Sequence, residues 1–130
     1  MAEINLVQAV SLALARAMAE DGSVIVLGED VGVDGGVFRA SEGLFARFGA
    51  GRVIDTPLAE AAIAGISIGL AAQGFRPVAE IQFTGFIYPD IDQLANHASR
   101  LRTRTRGGSD LPDGPALALR RRHPRPRAPL

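Results

Sequence analysis

The chain has no cysteine, no tryptophan and no lysine, so all 14 of its basic residues are arginine. Without cysteine there is no disulfide framework and no thiolate metal site; zinc would have to use His97, His123 and carboxylates. Arginine to the exclusion of lysine points to GC-rich coding. No stretch long enough to span a bilayer lacks a charge or a Gly/Gln break, and "MAEINLVQAV" puts no basic flank before an apolar run. The expectation is a soluble cytoplasmic protein with no membrane partner. Aromatic residues are few, six Phe and one Tyr, and none falls among the arginines of residues 100–127.

What is present divides unevenly. The 130 residues suffice for one modest core, and a mean hydropathy of +0.15 marks a globular chain. Residues 1–98 hold 12 acids and 5 Arg, a net −7, whereas residues 99–130 hold 2 acids and 9 Arg, a net +7. Five of the eight prolines also fall in residues 109–130.

Asn5 and Gln8 have the spacing of a capping box, and Val7, Val10, Leu14 and Met18 follow at helical intervals up to the turn "EDG". "SVIVLGED" is a continuous apolar run ending in acids, as in a buried parallel strand. After the loop "GVDGG", "SEGLFARFG" reads as a short helix capped by Ser41 and stopped by Gly49. "RVIDT" and "RPVAEIQF" are further strands, with an apolar helix over residues 59–73 between them, ended by Gly74. "PDIDQLANHASRLRTR" reads as an amphipathic helix with Ile91, Leu94, Ala98 and Leu101 inward. Alternating strands and helices predict an α/β fold with a mostly parallel sheet flanked by helices. Gly65 and Gly69 predict close packing of the central helix against a neighbour.

"GEDVGVDGG" is not a phosphate loop: it lacks Lys and Ser/Thr, and its spacing is not GxGxxG. Glu29 and Asp30 close a strand, where acids commonly serve loops, and they are not assigned a metal. His97 falls on the outer face of its helix, as a solvated histidine does. Glu60 is different. It opens a helix with no other charge up to Gln73, and such an all-apolar helix is expected to be buried. The helix dipole favours a negative charge at that end, and the preceding strand and loop could form the mouth of a site. Two readings stand at this point: a first-turn Glu satisfied by backbone N–H groups, or an acid waiting for a ligand.

Three segments, "VIVLGEDVGVDGGVFRASEGLFARFGAGRVIDTPLAEAAIAG", "GLAAQGFRPVAEIQFTGFIYP" and "DQLANHASRLRTRTRGG", change the balance. From residue 4 to 108 the chain resembles the β subunit of the decarboxylating component of 2-oxo acid dehydrogenase complexes. "GVFRASEGL" and "GFIYP" lie nearer the pyruvate type than the branched-chain type. The resemblance implies a transketolase-like pyrimidine-binding domain of a thiamine-diphosphate enzyme. Glu60, in "DTPLAE", then meets a ring nitrogen of the cofactor's aminopyrimidine. That contact favours the imino tautomer, whose nitrogen takes the thiazolium proton and leaves the ylide that attacks the 2-oxo acid. Leu58, Gln82 and Phe86 are implied to line the pyrimidine pocket, with Phe86 lacking the hydroxyl that relatives with Tyr carry there. Diphosphate and magnesium are implied on an α subunit, the partner in a heterotetramer that passes acyl groups to a lipoyl-bearing acyltransferase. Such a chain is an oxidoreductase subunit. The rival reading is a non-catalytic module that binds nucleic acid through the Arg-rich residues 100–127.

Residues 1–108 are expected to form a partial, truncated pyrimidine-binding domain, and residues 109–130 a disordered Pro/Arg-rich tail. Back-translated with GC-rich codons and shifted forward by one base, "RRRHPRPRAPL" can read GGGIRAPGHHS and "SDLPDGP" can read RTCPMV, close to the family's continuation "TCPMV…YGGGIRAPEHHS". The expectation is a tail read out of frame, through a single-base change in a full-length gene or a sequencing error, and a chain poorly stable and inactive alone. Resequencing the gene across codon 109 should reveal a single-base change that restores the frame; an intact frame with unrelated DNA downstream would contradict it.

Overall fold

A computed structural model describes residues 3–109 and 116–119. The chain runs α1 (Leu6–Glu20), β1 (Val24–Gly28), α2 (Leu44–Phe48), β2 (Val53–Asp55), α3 (Glu60–Ala72), β3 (Arg76–Ile81), α4 (Tyr88–Asp92), α5 (Leu101–Arg104) and β4 (Ala116–Leu119). The strands form one parallel sheet in the order β2-β1-β3-β4. The α/β architecture read from the sequence is the one observed.

All five residues of β1 are buried, as a strand covered on both faces requires. On one face Val24 and Val26 pack with Met18, Val31, Leu44 and Val53, beneath α1 and α2. On the other, Leu27, Ala79 and Ile81 meet Ile63 of α3. The capping box forms as expected: Asn5 Oδ1 accepts from the Gln8 backbone and Gln8 Oε1 from the Asn5 backbone, both at 2.9 Å. The Arg52 guanidinium joins α1 to the sheet by donating to the carbonyls of Val24 (2.6 Å), Asp21 (2.8 Å) and Met18 (3.1 Å).

Several expectations need correction. Of the apolar residues at helical intervals on α1, Met18 is buried but Val10 is 38% exposed, because only the end of the helix lies over the sheet. Ser41 does not cap α2; Gly43 holds that position at φ +78°, and the Ser41 hydroxyl donates to the Val31 carbonyl at 2.7 Å. α3 is not buried all round: Ile63, Ala64, Ser67, Ile68 and Ala71 face inward, whereas Ala61, Ala62, Ile66 and Gly69 are exposed. A Cβ on Gly65 would come 3.4 Å from Gln93 Oε1, but one on Gly69 would meet nothing within 4 Å. The close neighbour expected at Gly69 is therefore not part of the described chain.

The last amphipathic helix is broken. After α4 the backbone widens into a π turn at Gln93–His97 and tightens into a 3₁₀ turn at Ala98–Arg100 before α5. The changes of pitch shift the inward face, so Ile91 is 49% exposed and Asp90 is sealed instead. In the segment expected to be irregular, Ala116–Leu119 pairs with Val78–Ile81. These four residues lie between Pro115 and Arg120, carry neither charge nor proline, and extend the open edge of β3. The rest of the tail lies outside the described residues. No helix among the described residues is long and apolar enough to cross a membrane.

Arg52→Lys should lower stability by roughly 2 kcal/mol in urea unfolding, because an ammonium lacks the planar fork that reaches three carbonyls. An unchanged midpoint would show that the Arg52 contacts are not stabilising.

Candidate functional site

In parallel sheets the crevices outside the carboxyl ends of the strands receive ligands. β1 runs out into Glu29 and Asp30, β2 into Thr56, Pro57 and Leu58, and β3 into Gln82 and Phe83. The turn after β2 leads to α3, whose first residue is Glu60; Ala59 precedes it with no side-chain cap. Glu60 is half-buried and occupies the positive end of the helix dipole. Among the described residues no hydrogen bond ends on its carboxylate, so backbone capping does not account for it.

The four residues singled out in the sequence lie on the segments that follow β2 and β3, with Glu60 opening α3. Leu58 is 66% exposed. Gln82 is nearly buried, and its side-chain nitrogen donates to the Glu29 carbonyl at 3.5 Å, joining the ends of β3 and β1. Phe86 is 44% exposed and meets Phe83 edge to face at 5.4 Å, as Phe83 meets Phe38. The electrostatic neighbour of Glu60 is none of these three; it is Asp90. The edge is open. The groove of about 620 Å³ lies elsewhere, between Ile4–Leu12 and Phe38–Glu42, and none of the four residues lines it.

A glycine loop closes over the sheet beside this edge. Asp55 accepts from the backbones of Gly32 (2.6 Å) and Val33 (3.3 Å), pinning the loop to the end of β2. Gly36, at φ +78°, lies over Glu80 of β3; a Cβ there would come 3.0 Å from the Glu80 carboxyl. Burial pushes the Glu80 proton affinity up, and its Oε2 has no hydrogen-bond partner.

Sequence reasoning missed two acids, the partly buried Glu80 and the fully buried Asp90. Glu80 left a signal, an acid inside the strand "RPVAEIQF", where alternation puts it on the same face as Val78. Asp90 left none, because its inward position depends on the break in the helix.

The donor set is a half-exposed carboxylate at a helix start, a primary amide, and the apolar faces of Leu58 and Phe86. It fits a flat heterocycle with ring nitrogens. The enclosed Thr56 hydroxyl, without a hydrogen-bond partner beside the Pro57–Leu58 turn, is a further polar group at this edge.

Comparison with known proteins gives the same direction. The family model described as "Transketolase, pyrimidine binding domain" matches residues 2–112. The 3-methyl-2-oxobutanoate dehydrogenase subunit beta of Mycobacterium tuberculosis is 59% identical over 109 residues, 84% of this chain and 31% of that protein. The pyruvate dehydrogenase E1 component subunit beta of Staphylococcus epidermidis is 52% identical over 112 residues, 86% of this chain and 34% of its own length. Its namesake from Bacillus subtilis is 51% identical over 107 residues, 82% and 33% respectively. The chain spans about a third of the length of these curated relatives.

A carboxyl group whose proton affinity rises on folding stabilises the fold while it is protonated. For Glu80 that contribution is complete below the ordinary glutamate value of 4.5 and is lost as pH climbs through the raised value. Glu80→Gln should therefore flatten the fall in stability on the alkaline side in urea unfolding, and an unchanged slope would contradict the assignment. Gly36→Ala should cost about 2 kcal/mol, from left-handed backbone and the clash with Glu80; a neutral effect would show that the loop does not seal that carboxyl.

Proposed function

Since the chain belongs to the transketolase pyrimidine-binding domain family, we propose that residues 1–108 are the pyrimidine-binding part of a 2-oxo acid dehydrogenase β subunit. The observation that carries this reading is the placement of Glu60: a carboxylate without an internal hydrogen bond, at a helix start, on the carboxyl edge of a parallel sheet. Glu60 accepts a hydrogen bond from, and shares a proton with, a ring nitrogen of thiamine diphosphate. Gln82 presents its amide, and Leu58 and Phe86 present apolar faces to the ring. Partial burial strengthens the contact at the Glu60 oxygen and keeps water from competing for it. When bound, thiamine diphosphate supplies the carbon nucleophile and the electron sink for decarboxylation of a 2-oxo acid.

The open edge supports a shared site. The diphosphate and magnesium belong on an α subunit, and the acyl group passes to a lipoyl-bearing acyltransferase. The exposed apolar residues Ile66, Leu58, Phe86, Tyr88 and Ile91 support contact with a partner chain. The proposed substrate is a 2-oxo acid. The relatives divide between 3-methyl-2-oxobutanoate and pyruvate enzymes, at 59% and 52% identity, so the sequence preference for pyruvate gains no separate support. The nucleic-acid alternative loses its basis, since Arg100–Arg106 fall inside the family match rather than in a separate module.

The test uses this chain mixed with a cognate α subunit, measuring thiamine diphosphate affinity by calorimetry. The mixture should bind the cofactor. Glu60→Gln should weaken binding at least about tenfold, the effect of losing a hydrogen bond to a charged group, with an unchanged circular dichroism spectrum. Equal affinity for the variant would refute the role of Glu60.

A further inference from the structure

The sheet has two edges, and they are not alike. β2, at one edge, is three residues long and ends in a charged residue. It is also tied to its surroundings. Asp55 accepts from the backbones of Gly32 and Val33, and Arg52, just before the strand, donates to the carbonyls of Met18, Asp21 and Val24. A short strand with its charges engaged is how natural sheets blunt an edge. β4, at the other edge, has none of these devices. Ala116–Leu119 pairs in parallel with Val78–Ile81, and among the described residues no strand pairs with its outer side. Its sequence is Ala-Leu-Ala-Leu, without a charge or a proline. Alternate residues of a strand turn their N–H and C=O toward opposite neighbours, so half of those of β4 face away from β3 and can receive another strand.

The flanking charges decide which strand that is. Asp110 and Asp113 precede β4 in the sequence, and Arg120, Arg121 and Arg122 follow it directly. A strand with acids ahead of it and bases behind it is complementary to itself, but in one direction only. Paired antiparallel about a two-fold axis between Leu117 and Ala118, each alanine stands opposite a leucine. Arg122 of one copy then stands opposite Asp113 of the other. Paired in parallel, arginine would meet arginine, which is unfavourable across a strand pair. Docking of β4 on the β2 edge of another copy would leave a free edge at each end and grow without limit, and the charge on β2 resists it.

We propose that β4 is a self-association edge, through which two copies of this chain join antiparallel along Ala116–Leu119 into one continuous sheet. The contact is the same on both copies, so it closes at two. A strand pair this short buries little area, and association is expected only from roughly micromolar concentrations upward. The pairing belongs to residues 113–122 of this chain and does not depend on Glu60 or on a cofactor.

Sedimentation velocity of the full chain over a concentration series tests it. A species of 13.7 kDa should give way to one of twice that mass and to nothing larger. Arg122→Asp should weaken dimerisation about tenfold, because like charges then oppose each other twice across the two-fold axis, and adding Asp113→Arg should restore it. The chain has no cysteine, so the register can be read chemically. A mixture of Leu117→Cys and Ala118→Cys chains should form a disulfide-linked dimer on mild oxidation faster than either variant alone, since directly opposite residues share a face. A chain that stays monomeric throughout, oligomers that keep growing, or equal cross-linking in the mixture and the single variants would overturn the proposal. Dimers whose affinity ignores both charge variants would overturn it too, because a different surface then joins the copies.

Discussion

The structure depends on β1 being covered on both faces. Five consecutive buried residues, Val24–Gly28, are flanked by β2 on one side and β3 on the other, all parallel. A parallel arrangement forces each return connection to cross a face of the sheet, and it brings the chain out of every strand at the same edge. The acids after β1, the turn that launches Glu60 and the segment carrying Gln82 therefore gather at one edge. Chemistry is concentrated there by topology before any side chain is considered.

Three carboxyl groups near that edge meet different surroundings. Glu60 is half-buried at a helix start, where the dipole supports its charge. Glu80 is partly buried beneath Gly36, and Asp90 is fully buried on α4; burial raises the proton affinity of both. The same functional group thus stands at a helix start in one place and against buried surroundings in two. In the proposed function Glu60 meets the ligand, while Glu80 lies against the glycine loop.

Local chemistry was legible in the sequence. The Asn5–Gln8 capping box, the apolar run of β1 and the Gly74 stop after α3 need only near neighbours, and each formed as read. The four candidate site residues could be named from the family resemblance, and Glu60 also from its lone charge on an apolar helix. What failed depends on distant packing. Ser41 has the composition of a cap, but its hydroxyl is taken by the Val31 carbonyl. Ile91 has the right spacing for a regular helix, yet the π and 3₁₀ turns that follow change the phase and bring Asp90 inward. The exposed apolar face of α3 could not be read either, because periodicity distinguishes faces only when polar residues mark the outer one.

The central claim is that Glu60 binds a ring nitrogen of thiamine diphosphate at the carboxyl edge of this sheet. The most direct measurement is ¹⁵N NMR of ring-labelled thiamine diphosphate bound to the chain together with its α subunit. The account predicts that the ring-nitrogen resonance moves toward its hydrogen-bonded position on binding, and that Glu60→Gln abolishes most of that movement. A resonance that moves equally in both proteins would contradict it.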